Sequence, residues 1–367
     1  MKYLDKGINL INQIKSFGYD AYLIGGCVRD YLLNIPSNDI DITTSMPIAL
    51  LKLNFEYKDN GSDYLSITIK YEGVNFEITH YRKDKEYKDH RHPIVEESDN
   101  LYDDTKRRDF TINALAFDSN KKIIDYHDGL SDLENKQIKA IGDPYIRFEE
   151  DALRILRALY FSSKLNFNIE ENTLNAIKDK SYLLSALSND RIYEYLIKLL
   201  STNRTKGIDY INKYDLFKYI PDFRDWLLAV KPGYTKDELV YAYYLKYNKY
   251  PVVITSAEKK LCLALNDLIK NNFSDYSLYK NQESIYKLSK ILERINVNVR
   301  SLRARINKLP IRNDFELALS KFEITENFEG NMKSIAVNEI IKMILSREIK
   351  NDKESIMKYI EVLKNAR

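Results

Sequence analysis

The 367-residue sequence predicts an α+β protein, with a mixed head of about 140 residues followed by a long helical body. Two observations support this prediction. Within residues 1–140, short apolar segments alternate with turn residues, which is typical of strands. After Gly142, apolar residues recur almost everywhere at the spacing of amphipathic helices. The pair Asp143-Pro144, a capping residue followed by proline at the first helical position, marks the change.

The head begins with a predicted helix and a short strand. Residues 5–17 carry apolar side chains at helical spacing, and the apolar segment 22–24 ends at Gly25-Gly26. A second helix is expected from Val28 to about Leu33. Further strands are expected at residues 39–43, 65–70, 74–79, 117 and 123–125, with a turn at Glu72-Gly73.

Residues 80–104 are charged, weakly patterned and interrupted by Pro93, so we predict a mobile loop there. The helical patterns that follow are clearest at residues 155–159, 192–200, 338–345 and 356–363.

The charge of the chain differs between its first 150 residues and the rest. Residues 1–150 hold 20 Lys and Arg against 27 Asp and Glu, whereas the remaining residues hold 37 against 27. An acidic front part suits metal binding and a basic back part suits a polyanion, although solvated surfaces explain the same counts. The sequence shows no signal peptide and no apolar segment long enough to span a membrane. Cys27 and Cys262 suggest no disulfide framework, so we expect a cytoplasmic protein.

Two aspartates, Asp39 and Asp41, flank Ile40 in a predicted strand. Side chains two residues apart in a strand project from one face, so the carboxylates would lie side by side. Like charges repel in an empty site, whereas Mg²⁺ ions, which prefer oxygen ligands, make the pair favourable. Two such ions activate an attacking hydroxyl and stabilise a leaving phosphate. Glu77 is the candidate third carboxylate, although an exposed strand face explains all three residues when each is taken alone.

A glycine turn precedes the aspartates. Gly25-Gly26 lies between a predicted strand and a predicted helix, where glycine lets the backbone approach a phosphate. Arg29, in that helix, can offer a charged fork to a triphosphate or a ribose. A simple tight turn also explains the two glycines.

A basic motif, Arg107-Arg108-Asp109, comes directly before an apolar segment that should be buried. Adjacent arginines beside a buried segment indicate anion binding at the wall of a cleft. The alternative is a surface ion pair with Asp103 or Asp104.

Asp151 and Arg154 are three residues apart in a predicted helix and are therefore neighbours on one face. Cytosine and adenine both present an amino donor beside a ring-nitrogen acceptor, whereas guanine and uracil present a carbonyl beside an N–H. An Asp acceptor beside an Arg donor matches CTP and ATP, and it leaves buried polar groups unmet with GTP or UTP. A plain salt bridge on the helix surface is the alternative.

These motifs form an ordered set across residues 20–200. The set comprises Gly25-Gly26-x-Val28-Arg29-Asp30, Asp39-x-Asp41, Arg107-Arg108-Asp109-x-x-x-Asn113-Ala114, Glu150-Asp151-x-x-Arg154-x-x-Arg157 and Arg191-Ile192-x-Glu194. In order and spacing it closely resembles the class II tRNA nucleotidyltransferase and bacterial poly(A) polymerase family.

The resemblance implies a DNA polymerase β-like nucleotidyltransferase head at residues 1–140. It implies a helical neck for base recognition at 141–200, and a helical body and tail at 201–367 that bind the acceptor arm and T-arm of tRNA. The implied roles are two Mg²⁺ ions on Asp39 and Asp41, triphosphate contacts from Gly26 and Arg29, a nucleotide contact from Arg108, a ribose contact from Asp109, and base reading by Asp151 and Arg154 with help from Arg157. The primer 3′-hydroxyl would attack the α-phosphate of CTP, of CTP again and then of ATP, with release of pyrophosphate. No obligate protein partner is expected.

One departure and several alternatives remain. Many family members carry arginine where this chain has Tyr160, so one phosphate or primer contact is absent or replaced. The head does not separate CCA addition from poly(A) synthesis. A chain without a basic C-terminal tail, and a complete segment at residues 82–104, favour CCA addition including the ATP step over CC-only addition. An A-only enzyme stays open, whereas a non-catalytic RNA-binding relative would lack a metal carboxylate, and both are present.

Overall fold

The computed structural model describes residues 3–37, 39–59, 65–87, 93–202, 205–224, 233–250 and 253–365. These residues form two compact units, Met1–Tyr234 and Thr235–Arg367. The predicted α+β class is confirmed, because a seven-stranded sheet lies in the first part of the chain and helices dominate the rest. Within the described ranges, no helix is long and apolar enough to cross a membrane.

The first unit begins with a sheet and the helices around it. In chain order these elements are α1 (Leu4–Ser16), β1 (Ala21–Ile24), α2 (Gly26–Leu32), β2 (Asp41–Thr44), α3 (Ile48–Asn54), β3 (Tyr57–Asp59), β4 (Ser66–Tyr71), β5 (Val74–His80), β6 (Arg82–Tyr87), β7 (Pro93–Glu97), α4 (Leu101–Lys106), β8 (Ala116–Phe117) and β9 (Ile123–Ile124).

The main sheet has the strand order β3-β4-β5-β2-β1-β8-β9. Its central strand, β2, pairs antiparallel with β1 and parallel with β5. The hairpin between β4 and β5 turns at Glu72 and Gly73, as predicted; both have positive φ angles, of 46° and 74°. Two consecutive residues with positive φ suit the right-handed twist of a tight hairpin.

Helix α1 packs against this sheet through a fully buried face that includes Leu10, Ile11 and Ile14. At Gly7 the approach is so close that a Cβ atom would lie 3.0 Å from Leu23 Cδ2 and 3.3 Å from Ile40 Cγ2. Because Ile40 lies between the two candidate metal-binding aspartates, this packing also fixes the segment that carries them.

The predicted loop at residues 80–104 is wrong in part. Strands β6 and β7 form an antiparallel ribbon, and α4 follows. Backbone pairing joins the two strands, and their facing side chains are charged instead of alternately apolar: Lys83 and Lys85 lie 3.2 and 2.8 Å from the Glu96 carboxylate. A charged ribbon lacks the period-two apolar pattern that reveals a strand. Residues 88–92, which formed part of the argument for ATP use, lie outside the described residues.

The second half of the first unit is helical. Its elements are α5 (Gly129–Glu134), β10 (Gln137–Ile138), α6 (Pro144–Glu150), α7 (Leu153–Leu165), β11 (Asn168–Ile169), α8 (Glu171–Lys180), α9 (Asn189–Leu200) and α10 (Lys206–Lys213). The predicted helix start is confirmed, because Asp143 accepts a hydrogen bond of 2.9 Å from the Tyr145 N–H and Pro144 is the first helical residue.

The predicted continuity of this helix is wrong. Helix α6 ends at Glu150, and α7 begins at Leu153. Asp151 has extended backbone angles, φ −145° and ψ 99°, and its side chain accepts a hydrogen bond of 3.0 Å from the Leu153 N–H. Aspartate readily caps a helix N-terminus in this way, so it starts a new helix instead of continuing the old one.

The second unit consists of helices among its described residues. They are α11 (Lys236–Tyr247), α12 (Ser256–Lys270), α13 (Asp275–Lys287), α14 (Ser289–Arg294), α15 (Val299–Ile306), α16 (Lys321–Thr325), α17 (Met332–Leu345) and α18 (Lys353–Asn365). The helices predicted at residues 338–345 and 356–363 are confirmed as parts of α17 and α18. Capping boxes at Thr235, Thr255 and Ser320 start three of these helices.

Candidate active site

The carboxylates lie at one end of the central strand. Asp41 opens β2, whereas Asp39 lies two residues earlier in irregular backbone, so the prediction that both belong to the strand is wrong for Asp39. Glu77 lies directly opposite Asp41 in the parallel pairing of β2 with β5. Asp41 is half-buried, and Asp39 and Glu77 are exposed.

This arrangement raises the pKa of the Asp41 carboxyl to about 6. Burial is the main cause; Arg108 opposes it, and the negative charges of Glu77 and Asp39 add to it. An elevated pKa shows that the surrounding protein does not fully compensate the ionised Asp41. A bound cation would supply the missing compensation.

The donor set fits Mg²⁺ when a nucleotide is present. In the described part of the chain, no three His, Cys, Asp or Glu side chains are grouped as a metal site of their own. Mg²⁺ in nucleotide sites, however, is usually held by one or two carboxylates, with waters and substrate phosphates as the other ligands. Asp39 and Asp41 supply two such oxygen donors, and the raised pKa of Asp41, caused mainly by burial, shows that its ionised form is incompletely compensated.

The glycine turn has one position where glycine is required. Gly25 has φ +82°, and a Cβ atom there would lie 2.8 Å from Arg108 Nη1. At Gly26, the first residue of α2, a Cβ atom would only make an ordinary contact of 3.7 Å with Arg29. Glycine is therefore required at Gly25, where any side chain would displace the Arg108 guanidinium.

Arg29 is only 2% exposed and is held by protein groups. Its Nε donates to Asp30 Oδ1 at 2.8 Å, its Nη1 donates to Asn113 Oδ1, and its guanidinium lies 5.0 Å from the centre of the Phe161 ring. The arginine thus connects helix α2 to Asn113 at the cleft wall.

Asp109 is the next link in this network. Its Oδ1 accepts from Asn113 Nδ2 at 3.0 Å and from the Phe110 N–H at 2.8 Å, and its Oδ2 accepts from Arg157 Nε at 2.6 Å. Burial alone would raise the pKa of this carboxyl, but Arg157 and the hydrogen bonds outweigh it and lower the pKa. Asp109 is therefore an ionised, fixed hydrogen-bond acceptor.

Arg157 is enclosed by aromatic side chains. It donates to the Tyr195 hydroxyl at 2.7 Å and lies 5.4 Å from the centre of the Phe161 ring. The Tyr160 ring lies 5.1 Å from that of Phe161 and 6.4 Å from that of Tyr195. Where many family members carry an arginine, this chain thus has part of an aromatic wall.

The two adjacent arginines share one buried acid. Asp104 is fully buried and accepts from Arg107 at 2.7 and 2.9 Å and from Arg108 at 3.5 Å. Burial raises the pKa of Asp104, but Arg107 and Arg108 outweigh this effect and lower it. The ion pair considered as an alternative therefore exists, but it is buried and orients both guanidinium groups.

Asp151 and Arg154 meet at the bend between α6 and α7, and not on one helix face as predicted. The Arg154 N–H donates to the Asp151 carbonyl at 3.1 Å. The Arg154 side chain donates to Glu150 Oε2 and the Arg147 carbonyl, both at 2.9 Å, and to the Arg107 carbonyl at 3.2 Å. The proposed base-reading arginine is thus held in place before any nucleotide binds.

Every site residue predicted from the sequence lines one cleft of about 690 Å³. These residues are Gly26, Arg29, Asp39, Asp41, Glu77, Arg108, Asp109, Asp151, Arg154 and Arg157. The structure therefore brings together carboxylates, guanidinium groups and the bend from residues that are up to 131 positions apart in the chain.

Sequence reasoning named Asp104 only as the partner in a surface ion pair, and it assigned no supporting role to Asn113, Arg147, Glu150 or Tyr195. Asp104 had a local signal, because it lies three and four residues before the two arginines, and Arg147 lies three residues before Glu150. Tyr195 is 38 residues from Arg157 and had no local signal.

Comparison with known families agrees with this geometry. The family described as "Poly A polymerase head domain" matches residues 21–139, and "Probable RNA and SrmB- binding site of polymerase A" matches residues 166–227. A CCA-adding enzyme from Lactobacillus helveticus is 33% identical, and the match covers 98% of this chain and 97% of that enzyme. This chain belongs to the CCA-adding enzyme family. A CCA-adding enzyme from Lactobacillus johnsonii is 34% identical over 96% of both chains.

Solved structures of CCA-adding enzymes share the fold. The enzyme from Bacillus stearothermophilus, solved in complex with CTP, is 26% identical, with a TM-score of 0.80 over 99% of this chain and 98% of its own. The enzyme from Thermotoga maritima, solved with tRNA, is 18% identical, with a TM-score of 0.56 over 98% and 95% of the two chains. At that identity the second likeness supports the fold alone. The resemblance inferred from the sequence motifs is confirmed.

Proposed function

We propose that this chain adds C, C and A to the 3′ end of tRNA without a template, using CTP and ATP and releasing pyrophosphate. The observation that carries the proposal is the single cleft that combines Asp39 and Asp41 with guanidinium groups and the bend at Asp151 and Arg154. The full-length relatives that carry this activity in their names, and the complex of one of them with CTP, support the same assignment.

In each cycle the primer 3′-oxygen forms a bond to the α-phosphorus, and the bond from that phosphorus to the bridging oxygen of the β-phosphate breaks. Asp39 and Asp41, with Glu77 as the third carboxylate, would hold two Mg²⁺ ions that activate the hydroxyl and stabilise the leaving phosphate. Because Asp41 has a raised pKa, this cation site forms best above about pH 6.

The nucleotide is held by residues on both sides of the glycine turn. Gly26 and Arg29 face the triphosphate, and Arg108, oriented by Asp104, contacts the nucleotide. Asp109 accepts a hydrogen bond from a ribose hydroxyl, since its lowered pKa keeps it ionised. Arg157 assists by fixing the Asp109 carboxylate.

Asp151 and Arg154 select the base. Arg154 offers donors and Asp151 an acceptor, which matches the amino and ring-nitrogen groups of cytosine and adenine. The side-chain contacts of Arg154 to Glu150 and to the Arg107 carbonyl limit its movement, so a mismatched base leaves polar groups unmet.

The domain roles follow from this assignment. Residues 1–140 form the catalytic head and 141–200 the neck for base recognition, and 201–367 bind the acceptor arm and T-arm of tRNA. The basic excess after residue 150 suits the phosphates of the RNA backbone. The proposed compartment is the cytoplasm, where the buried thiols of Cys27 and Cys262 stay reduced.

The test uses three tRNA transcripts, ending before CC, after CC, or after CCA. Each is incubated with the full-length protein, Mg²⁺ and one labelled nucleotide at a time. We expect CTP incorporation only on the first transcript and ATP incorporation only on the second. Long A tails would identify a poly(A) polymerase, and the loss of one of the two steps would identify a CC-only or A-only enzyme. Omission of the divalent metal should abolish every product.

A further inference from the structure

Arg147 lies at the junction between the base-reading bend and the basic motif. Its Nη2 donates to the Arg107 carbonyl at 2.5 Å and to the Arg108 carbonyl at 2.8 Å, and its Nη1 donates to Glu150 Oε2. Arg154 uses two of the same acceptors, Glu150 Oε2 and the Arg107 carbonyl. The two arginines are thus joined through a shared carboxylate oxygen and a shared backbone oxygen.

This network is mostly withdrawn from water. The side chains of Arg147 and Arg154 are 11% and 7% exposed, and that of Glu150 is 27% exposed. Two guanidinium groups around one carboxylate repel each other, so their positions depend on the acceptors they share. Hydrogen bonds between charged groups in such surroundings are stronger than those at a surface.

The network connects the basic motif at Arg107 and Arg108 to the bend that carries Arg154. Arg107 and Arg108 present their side chains to Asp104 and their carbonyls to Arg147. Arg147 therefore fixes the segment that carries the nucleotide-binding Arg108 relative to the bend that carries Arg154. Arg147 itself need not touch the nucleotide to have this effect.

We propose that Arg147 is a positioning residue for base selection, which acts by fixing the Arg154 guanidinium against the backbone at Arg107 and Arg108. This inference rests on the proposed function of Arg154 as the base reader. Without the Arg147 side chain, the Glu150 carboxylate that holds Arg154 is less constrained. The Arg154 guanidinium can then shift and adapt to a wrong base. Lysine is a partial substitute, because one ammonium group cannot reproduce the planar fork that reaches two carbonyls and a carboxylate.

The test compares full-length wild type, Arg147→Gln and Arg147→Lys on a tRNA transcript that ends before CC. For each protein, kcat/KM is measured with CTP and with UTP, and the ratio of the two values is the readout. The ratio does not depend on the fraction of correctly folded enzyme, so a destabilised variant remains informative. Lys180→Met is the matched control, since it removes an ion pair to Glu149, the neighbour of Glu150 on α6.

We expect Arg147→Gln to reduce the CTP-over-UTP ratio about tenfold and Arg147→Lys about threefold. Lys180→Met should leave the ratio unchanged. An unchanged ratio in Arg147→Gln would overturn the inference.

A double variant separates the inference from the proposed function. If Arg147 acts through Arg154, Arg147→Gln should not change the ratio further once Arg154 is replaced by glutamine. Independent, additive losses would show that Arg147 acts by another route. If Arg154→Gln alone keeps full discrimination between CTP and UTP, the proposed base reading by Arg154 is wrong. If Arg154→Gln loses this discrimination and Arg147→Gln keeps it, only the proposed role of Arg147 is wrong.

Discussion

The cleft and the charged ribbon of β6 and β7 contain ion pairs of nearly equal length in different surroundings. Asp104 and Arg107 are 2.7 Å apart, and the Asp104 side chain is fully buried. Glu96 and Lys85 are 2.8 Å apart, and their side chains are 40% and 56% exposed. An exposed pair contributes about 0–1 kcal/mol, whereas a buried charge that loses its partner costs several kcal/mol. Burial, and not distance, therefore separates the structural pairs of the cleft from the solvated pairs of the ribbon.

Within the cleft, the buried carboxylates differ in how far the protein compensates their negative charge. Asp104 is paired with Arg107 and Arg108, and Asp109 with Arg157, and the pKa of each acid lies below its ordinary value. The pKa of Asp41 is raised to about 6, since burial and two neighbouring carboxylates outweigh Arg108. The protein thus compensates the charges of Asp104 and Asp109 with arginines and leaves the charge of Asp41 for the proposed metal ion.

The largest expected effect follows from replacing that acid. Asp41→Asn should lower nucleotide incorporation by roughly a thousandfold or more, because the site loses a proposed metal ligand. At neutral pH and without divalent metal it should raise the free energy of unfolding by roughly 1–3 kcal/mol, since a half-buried and incompletely compensated charge is removed. Incorporation assays and thermal denaturation measure the two effects.

Wild-type activity in Asp41→Asn, or a melting temperature below that of wild type, would contradict the assignment of Asp41 as a metal ligand. Glu56→Gln, at an exposed carboxylate, is the control.

The second effect concerns a supporting acid. Asp104→Asn should lower the free energy of unfolding by about 2–4 kcal/mol, because Arg107 and Arg108 lose the carboxylate that compensates them. Urea denaturation at neutral pH measures the change. A loss below about 0.5 kcal/mol, as expected of an exposed pair, would show that burial does not distinguish the two regions.

The dependence on pH should differ in shape between these two variants. The lowered pKa of Asp104 stabilises the fold above about pH 4, and this contribution is lost as the pH falls through the folded-state pKa. Asp41 has a raised pKa, so its destabilising effect appears only as the pH rises from about 4 to 6. In urea titrations from pH 7 to pH 3, the difference between wild type and Asp41→Asn should vanish between pH 6 and 4. The difference in the free energy of unfolding between wild type and Asp104→Asn should persist down to about pH 4. Equal pH profiles for the two variants would contradict the contrast between Asp41 and Asp104.

The smallest effect is expected in the ribbon. Glu96→Gln removes the partner of Lys83 and Lys85, and it should change the free energy of unfolding by less than about 0.5 kcal/mol. Any change should disappear in high salt, since the pairs are exposed. A salt-independent loss of more than about 1 kcal/mol would show that the ribbon depends on these charges.

The sequence predicted the cleft better than the framework that holds it. Asp39, Asp41, Asp109 and Arg154 lie together in the cleft, and the sequence singled them out because they belong to short motifs with characteristic spacing. The strands around Glu72-Gly73 were found because apolar alternation and turn residues are local signals.

What escaped prediction depends on tertiary contacts. The bend at Asp151 interrupts a pattern that is helical on both sides, because a single side chain caps the next helix. The pair of Arg157 with Tyr195 joins two helices, and no local pattern specifies it. The ribbon was missed because its strands carry charged side chains and lack apolar alternation.

The most direct test of the account is the sequence of the tRNA 3′ ends produced when all four nucleoside triphosphates compete. A transcript that ends before CC is incubated with the full-length protein, Mg²⁺ and equal concentrations of CTP, ATP, GTP and UTP, and the products are sequenced. If the cleft both catalyses addition and selects the base, almost every extended end reads CCA and stops there. Long A tails, or frequent U or G, would contradict that claim.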